Sequence, residues 1–334
     1  MSQAILQLAL FAAKSIIIFI LILLVLIAFF ILLAKSKEKT KGRLLIKNLN
    51  KKYDEITETL LAETLSKKEF KKFTKGKKTA EKAKQKAEEK KKNIYVLNFQ
   101  GDIKASAVSA LSEEINAVLG IASPADEVVV RLESAGGVVH GYGLAAAQLM
   151  RIRAKKIPLT ITIDKVAASG GYMMACIANK IYAAPFAIIG SIGVIVQLPN
   201  FHRLLKENNI DFEQHTAGEF KRTITLFGEN TIEGKLKLQH EIEDIHHLFK
   251  NLIAEHRQQL DIQKVATGEH WLGQQAITLN LVDEIKTSDD YLLERSKEAN
   301  LYEISYEIKK SLLSKLSASA NLLREKLLGL RVLA

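Results

Sequence analysis

A chain of 334 residues is long enough for a membrane segment and one sizeable soluble domain. Its net charge of +11 is concentrated in residues 35–92, which hold 21 Lys and Arg against 9 Asp and Glu, so the rest is close to neutral. Aromatic residues are scarce in that basic segment, and we expect no nucleic-acid partner. The single cysteine, Cys176, excludes an internal disulfide and a cysteine-rich metal site, so it is expected in the core.

The N-terminal region contains a long apolar run. Residues 15–34, SIIIFILILLVLIAFFILLA, are 20 residues without a charge, enough for a helix that crosses a bilayer. A cleavable signal peptide would have a shorter apolar core and a small-residue cleavage site. The sequence therefore predicts a retained single-pass anchor within residues 1–34. The lysines that directly follow the run favour a body on the cytoplasmic side.

Residues 35–92 alternate short amphipathic patches with lysine runs, which is typical of a basic helical stalk near anionic lipid headgroups. From residue 93 onward, apolar β-branched segments alternate with helical ones. Strands are predicted in 93–101, 127–134, 157–166 and 180–185, and helices in 106–120, 143–154, 172–180, 201–209 and 233–260. This order predicts an α/β domain with a mainly parallel sheet.

The domain is expected over residues 93–288, with a C-terminal helical segment at 289–334 that serves assembly. A later helix is predicted to end at Asn280, because asparagine tolerates the left-handed conformation. The apolar run 181–199 is not a second membrane span, since Pro185, Gly190 and Gly193 interrupt it. Leucines 312, 316, 323, 327 and 330 recur at helical spacing, although packing on their own domain is the plainer explanation.

Two glycine-bearing corners follow predicted strands, ESAGG at 133–137 and AASGG at 167–171. Parallel α/β sheets place ligands at these strand ends. Ser169 begins a predicted helix, a position that suits an N-cap and equally a nucleophile. The amide of Gly170, with one from Gly136 or Gly137, is then a candidate donor to an oxyanion. Two ordinary strand–helix turns are an equally good interpretation of the spacing.

A nucleophilic serine needs a base, and the residues leave two candidates. His140 directly follows the first glycine corner. Lys221 lies in a mixed polar and apolar segment, and a lysine loses its proton when apolar burial lowers its pKa from about 10.4. Ser191 is a candidate partner for a neutral lysine. A solvated surface lysine is the usual alternative. The sequence has neither a G-x-S-x-G elbow nor an H-E-x-x-H zinc motif.

The motifs SAGG, AASGGYMMAC, IIGSIGVI and AGEFKR, in that order, resemble the signal-peptide peptidase A (S49) family of membrane serine peptidases. The similarity covers nearly the whole chain and is greatest to the branch with a basic N-terminal extension. The resemblance implies a ClpP/crotonase-like fold of repeated βαβ units and a Ser–Lys dyad. It makes Ser169 the nucleophile, Lys221 the base and Ser191 the hydroxyl that orients it. Gly137 and Gly170 become the oxyanion-hole donors.

Two positions depart from the family pattern. Ala135 stands where the family usually has proline, and Asn280 stands where relatives tend to have glycine. Neither change affects the dyad.

The resemblance also implies peptide substrates near the bilayer, no metal or cofactor, and a homo-oligomeric ring. It places the anchor in a bacterial-type inner membrane and favours a periplasmic body, against the charge pattern. The function expected is a membrane-anchored serine endopeptidase that cleaves apolar peptides through an acyl-enzyme. The residues around the nucleophile, Ala167, Ala168, Met173 and Met174, favour small or apolar substrate side chains. The alternatives are a crotonase-like enzyme acting on acyl thioesters and a non-catalytic membrane scaffold.

Overall fold

The computed structural model describes residues 14–17, 19–24, 26–27, 42–86 and 91–307. Part of the predicted anchor, 15–34, lies outside these residues, and its described pieces are helical with exposed side chains. Within the described part, none of the helices has the length and apolarity needed to cross a bilayer. Residues 308–334, with the leucine repeat, also lie outside it.

Strands and helices alternate from residue 93 to about residue 285, as the sequence predicts. The segment expected to be helical from residue 289 differs, because a short helix is followed there by a strand, Asn300–Glu307, that joins the sheet. The strands are β1 Arg43–Asn48, β2 Asn93–Gly101, β3 Glu127–Ser134, β4 Leu159–Ile163, β5 Val166–Ala168, β6 Lys180–Ala183, β7 Ile188–Gly190, β8 His270–Leu272, β9 Glu284–Ile285 and β10 Asn300–Glu307. The helices are α1 Leu49–Thr64, α2 Lys67–Lys86, α3 Val108–Leu119, α4 Val139–Ala154, α5 Gly170–Ala175, α6 His202–Glu207, α7 Ile232–His256, α8 Ile262–Val265, α9 Gly273–Ala276 and α10 Ser288–Arg295.

The strands form one sheet in the order β1-β10-β2-β3-β4-β6-β9, and β5, β7 and β8 branch from it beside β3. The pairs from β10 to β9 along this path are parallel, and so are β3–β5 and β5–β7, whereas β7–β8 is antiparallel. The fold is thus an α/β fold with a mostly parallel sheet, as predicted. The apolar run 181–199 contains most of β6 and all of β7, and the rest of it is irregular rather than helical, so it is not a second span.

Successive residues of the central strands point to opposite faces of the sheet and pack in two separate cores. On one face, Leu97 and Val130 pack with side chains of α3, α4 and α5 in the large core. On the other face, Val96 and Val129 pack in a smaller core with Leu49 of α1 and with side chains of α10. A period of two with both faces apolar is what a covered parallel sheet requires.

The segment predicted as a stalk contributes to this body. β1 adds to the sheet beside β10, and the Asn50 amide bonds to the carbonyls of Ser296 and Ala299 while its oxygen accepts the Leu301 amide. These bonds lock the start of α1 against the last turn before β10. The sequence does not predict this strand, because RLLIKN is short and lies among lysines.

The helix predicted to end at Asn280 ends earlier, at Ala276, and a turn over 277–280 leads to Asn280, whose φ of +58 lies in the left-handed region. The Asn280 carbonyl accepts from the Arg257 guanidinium, which is buried and also contacts both oxygens of Asp283. Asp283 in turn accepts the amide of Ile181 in β6. The end of α7 is thereby fastened to the sheet.

A buried carboxylate joins the strands to α10. Glu127 of β3 is 3% exposed, and its oxygens accept from Tyr291, Thr160, Lys92 and Arg295. Burial by itself would raise the pKa of Glu127, but these donors outweigh it and hold the pKa below its usual range.

We expect Glu127→Gln to lower the free energy of unfolding by about 2–4 kcal/mol at pH 7, because it leaves its charged partners without a carboxylate. A depressed pKa stabilises the fold above the unfolded-state value of about 4.3, and this contribution is lost as the pH falls through the folded-state pKa. The gap in the free energy of unfolding between wild type and variant, measured by thermal unfolding, should therefore narrow below pH 4.5. Glu133→Gln is the matched control, since Glu133 forms a more exposed pair with Lys165. A gap that is constant from pH 7 to pH 3 would contradict the role of the charge.

Candidate active site

Ser169 occupies a tight corner between β5 and α5. Its φ is +50, in the left-handed region that non-glycine residues rarely adopt. Its N–H donates to the Gly190 carbonyl at 2.8 Å, and its own carbonyl accepts the Met173 amide at 2.9 Å. The side chain makes no capping hydrogen bond to α5. The hydroxyl at this helix N-terminus is therefore free for another partner, which argues against a plain N-cap.

The two glycine corners meet in space. Ser134, at the end of β3, pairs with Ala167 of β5, so the chain segments that follow them run side by side. Gly136 has φ +91, and a Cβ there would lie 2.7 Å from the Gly170 nitrogen and 2.8 Å from the Ser169 Cβ. Only glycine permits this approach of two backbones.

The main chain around Ser169 offers two unpaired amides. The Gly136 N–H is occupied, because it donates to Ser134 Oγ at 3.1 Å. The next amide, that of Gly137, has no acceptor among the described residues, and Gly137 lines the cleft. Gly170 is the first residue of α5, so its N–H has no intrahelical acceptor. The first corner offers Gly136 and Gly137 as candidate donors to an oxyanion, and the geometry favours Gly137.

Ser191 lies beside the Ser169 corner. β5 and β7 are parallel with Ala168 opposite Gly190, so Ser169 and Ser191 each follow the last pair. Ser191 also has φ +50, and its N–H donates to the Glu269 carbonyl at 2.7 Å. The structure thus brings together Ser169, Ser191, Gly137 and Gly170.

The two candidate bases lie elsewhere. Lys221 is exposed in a segment, 211–231, that forms neither helix nor strand, and it does not line the cleft at Ser169. His140 is exposed in the first turn of α4 and does not line the cleft either. Within the described part of one chain, Ser169 therefore has neither predicted base beside it.

A small cleft of about 70 Å³ opens at Ser169. Its walls are mostly apolar, and they comprise Gly137, Val139, Tyr142, Gly170, Met173, Gly193, Val194, Ile195, Ile245 and Phe249. Of the four residues predicted around the nucleophile, Met173 lines it, whereas Ala167, Ala168 and Met174 are buried behind it. Sequence reasoning missed Ile245 and Phe249, whose spacing of four on α7 is the one signal that they share a helix face.

Cys176 is fully buried and donates to the Met173 carbonyl. Burial raises the pKa of its thiol to about 12, so it stays protonated and unreactive at neutral pH. It is the core residue that the sequence predicts.

Comparison with known proteins adds the family. Residues 3–149 match the model "Peptidase family S49 N-terminal", and residues 151–302 match "Peptidase family S49". The "Probable protease SohB" of Haemophilus influenzae is 52% identical over 84% of this chain and 82% of its own length. The "Probable protease SohB" of Buchnera aphidicola subsp. Schlechtendalia chinensis is 48% identical over 79% of this chain and 90% of its own.

Two solved structures are more distant. A membrane-bound stomatin-specific protease in complex with a substrate peptide matches 69% of this chain and 99% of its own, with TM-score 0.44 and 14% identity. ClpP1 from Listeria monocytogenes matches 60% of this chain and 94% of its own, with TM-score 0.38 and 16% identity. The two family models and the relatives that align with most of their length agree with the resemblance read from the sequence: the chain belongs to peptidase family S49.

Proposed function

We propose that this chain is a serine endopeptidase of ClpP/crotonase-like fold in which Ser169 is the nucleophile. One observation carries the proposal: Ser169, with φ +50 and no capping bond, directly precedes a helix where two glycine corners meet, at the wall of an apolar cleft. Backbone strain of this kind is concentrated at functional sites. The free amides of Gly137 and Gly170 supply the donors that acyl transfer needs.

In the proposed reaction, Ser169 Oγ forms a bond to the scissile carbonyl carbon while its proton passes to Lys221 Nζ. The carbonyl oxygen takes up the electron pair of the broken π bond and accepts from Gly137 and Gly170. Collapse breaks the C–N bond, and the Lys221 ammonium returns the proton to the leaving amine. Water then attacks the acyl-enzyme by the same route and releases the acid. Neither a metal nor a cofactor takes part.

We propose that Lys221 acts on the Ser169 of a neighbouring copy. A lysine is a base only when neutral, and burial favours the neutral form. Lys221 is exposed in the single chain and away from the cleft, so a second subunit must cover it. The surrounding region, 194–236, exposes many large apolar side chains, including Ile195, Phe220 and Ile232. Exposed apolar side chains in this number are typical of a protein interface and support a ring of identical subunits, where Ser191 orients the incoming lysine.

The size and lining of the cleft support a preference for substrates with small or apolar side chains next to the scissile bond. The cleft is small, about 70 Å³, and its walls, which include Met173, Val194 and Phe249, carry no charged side chain. Apolar peptides, such as signal-peptide remnants or membrane-protein fragments, have side chains of this type.

We further propose that residues 15–34 anchor the chain in the bacterial inner membrane, with the basic helix α2 near anionic headgroups. α2 carries ten lysines against two glutamates, which supports this contact with the lipid surface. The resemblance to signal-peptide peptidases favours a periplasmic body, and the flanking lysines do not oppose it strongly, because large domains are translocated largely regardless of flanking charge.

Ser169→Ala and Lys221→Ala should each lower kcat for an apolar fluorogenic peptide by about 10⁴-fold or more, and the double variant should lose little beyond either. A fluorophosphonate should label the wild type but not Ser169→Ala. The matched control is Lys155→Ala, which removes another exposed lysine, at the end of α4 and outside region 194–236, and should keep full activity.

Three outcomes would contradict this assignment. An unlabelled wild type favours the scaffold alternative. Labelling without peptide cleavage, together with acyl-thioester turnover that survives Lys221→Ala, favours the crotonase-like alternative. Cleavage that survives Lys221→Ala but not His140→Ala would make His140 the base.

Mixing tests whether the dyad is shared between subunits. Co-assembly of inactive Ser169→Ala and Lys221→Ala chains in equal amounts should restore function at about a quarter of the interfaces, since random pairing joins an intact serine to an intact lysine there. Recovery is measured as peptide cleavage by complexes purified sequentially through two different tags. Mixed complexes that form but stay inactive would mean that each dyad lies within one chain.

A further inference from the structure

Tyr142 lies behind both glycine corners of the candidate active site. It belongs to α4 and is fully buried, and its ring lines the cleft at Ser169. Its hydroxyl oxygen lies 2.5 Å from Ser134 Oγ and 2.8 Å from the carbonyl oxygen of Asp102. Nothing in the catalytic scheme above uses this residue.

The donors in this cluster have one consistent direction. A carbonyl oxygen only accepts, so the Tyr142 hydroxyl donates its one proton to Asp102. Ser134 must then donate to Tyr142 Oη, and its own oxygen accepts the Gly136 N–H at 3.1 Å. Burial raises the pKa of Tyr142, which keeps this hydroxyl protonated. The chain of bonds runs from the Gly136 amide through Ser134 and Tyr142 to the end of β2.

This series of hydrogen bonds fixes the position of the first glycine corner, residues 133–137. It holds the Gly136 peptide in place, and the next amide, that of Gly137, is the one left free for an oxyanion. The loop after β2, which contains Asp102, contacts the first corner a second time, because the Val138 N–H donates to the Ile103 carbonyl at 2.9 Å. The loop after β2 therefore anchors the Gly137 donor from two sides.

The ring of Tyr142 contacts the second corner. A Cβ on Gly170 would lie 2.4 Å from Tyr142 Cγ, so the ring packs directly against the Gly170 backbone. One side chain thus touches the Gly170 corner with its ring and holds the Gly137 corner through its hydroxyl.

We propose that Tyr142 is a positioning residue that sets the spacing of the two oxyanion donors, Gly137 and Gly170. This inference rests on the proposed serine peptidase function. A misplaced donor weakens binding of the transition state more than binding of the ground-state carbonyl. Loss of the hydroxyl should therefore reduce kcat and leave KM nearly unchanged.

The test compares two tyrosines that each lose a buried hydroxyl. Tyr142→Phe keeps the ring and breaks the chain. Tyr172→Phe is the matched control, since Tyr172 is also fully buried and donates to a backbone carbonyl, that of Leu281. Ser134→Ala breaks the same chain from the other side and serves if Tyr142→Phe does not fold. Active sites are counted by fluorophosphonate titration to the end point, so that unfolded protein does not enter kcat.

We expect Tyr142→Phe and Ser134→Ala to lower kcat by about 10–100-fold, with KM within about twofold, because a small displacement of a catalytic donor costs up to about 100-fold. The affinity for a peptide boronic acid, whose adduct with Ser169 carries the negative charge, should fall by a similar factor. Tyr172→Phe should keep kcat and the boronic acid affinity within about twofold of the wild type, even if its melting temperature falls as much as that of Tyr142→Phe.

Two results would overturn the inference. If Tyr142→Phe and Ser134→Ala keep kcat and boronic acid affinity, or lose them no more than Tyr172→Phe does, the tyrosine is only structural and the peptidase function stands. If the wild type shows no Ser169-dependent labelling or cleavage, the proposed function fails and the role of Tyr142 fails with it.

Discussion

The contact between two strand ends determines the candidate active site. The pairing of Ser134 with Ala167 brings the Gly136 backbone against Gly170, at a distance that excludes any side chain. The positive φ of Ser169 costs about 1–3 kcal/mol, and such strain persists only where the surroundings over-determine it. Here the Gly190 carbonyl holds the Ser169 amide, and every residue of α5 is buried. A well-packed core thus maintains an unfavourable backbone conformation at its edge.

The apolar wall of the cleft depends on a polar contact far from Ser169. Phe249 belongs to α7, whose end is held by the buried Arg257 through Asp283 and the Asn280 carbonyl. Removing one member of a buried ion pair leaves an uncompensated charge, so this contact tolerates little change. The left-handed conformation of Asn280 presents its carbonyl to the guanidinium, and asparagine adopts it more readily than most residues. A residue that the sequence singles out only for its turn-forming tendency is therefore also part of the frame of the cleft.

The sequence predicts what local patterns determine. Alternating and helical periodicities identify most of the body, and glycines after two strands point to Gly137, Ser169 and Gly170. It does not predict β1, because a six-residue strand among lysines resembles the charged helices that follow it. Nor does it predict Tyr142 or Phe249, whose helical positions look like any core residue. Their importance arises from contacts with glycines and strands distant in the chain, which no local spacing records.

The exposure of Lys221 has a consequence for the timing of activity in the proposed arrangement. A lone chain holds Ser169 beside the Gly137 and Gly170 amides but leaves Lys221 exposed to water. The contact that buries the apolar side chains of region 194–236 would also remove water from Lys221. Apolar burial, at about 25 cal/mol per Å², would then favour assembly and offset the cost of removing a lysine from water. A peptidase built in this way would acquire its base only on assembly, so newly made chains would not cleave the apolar segments around them.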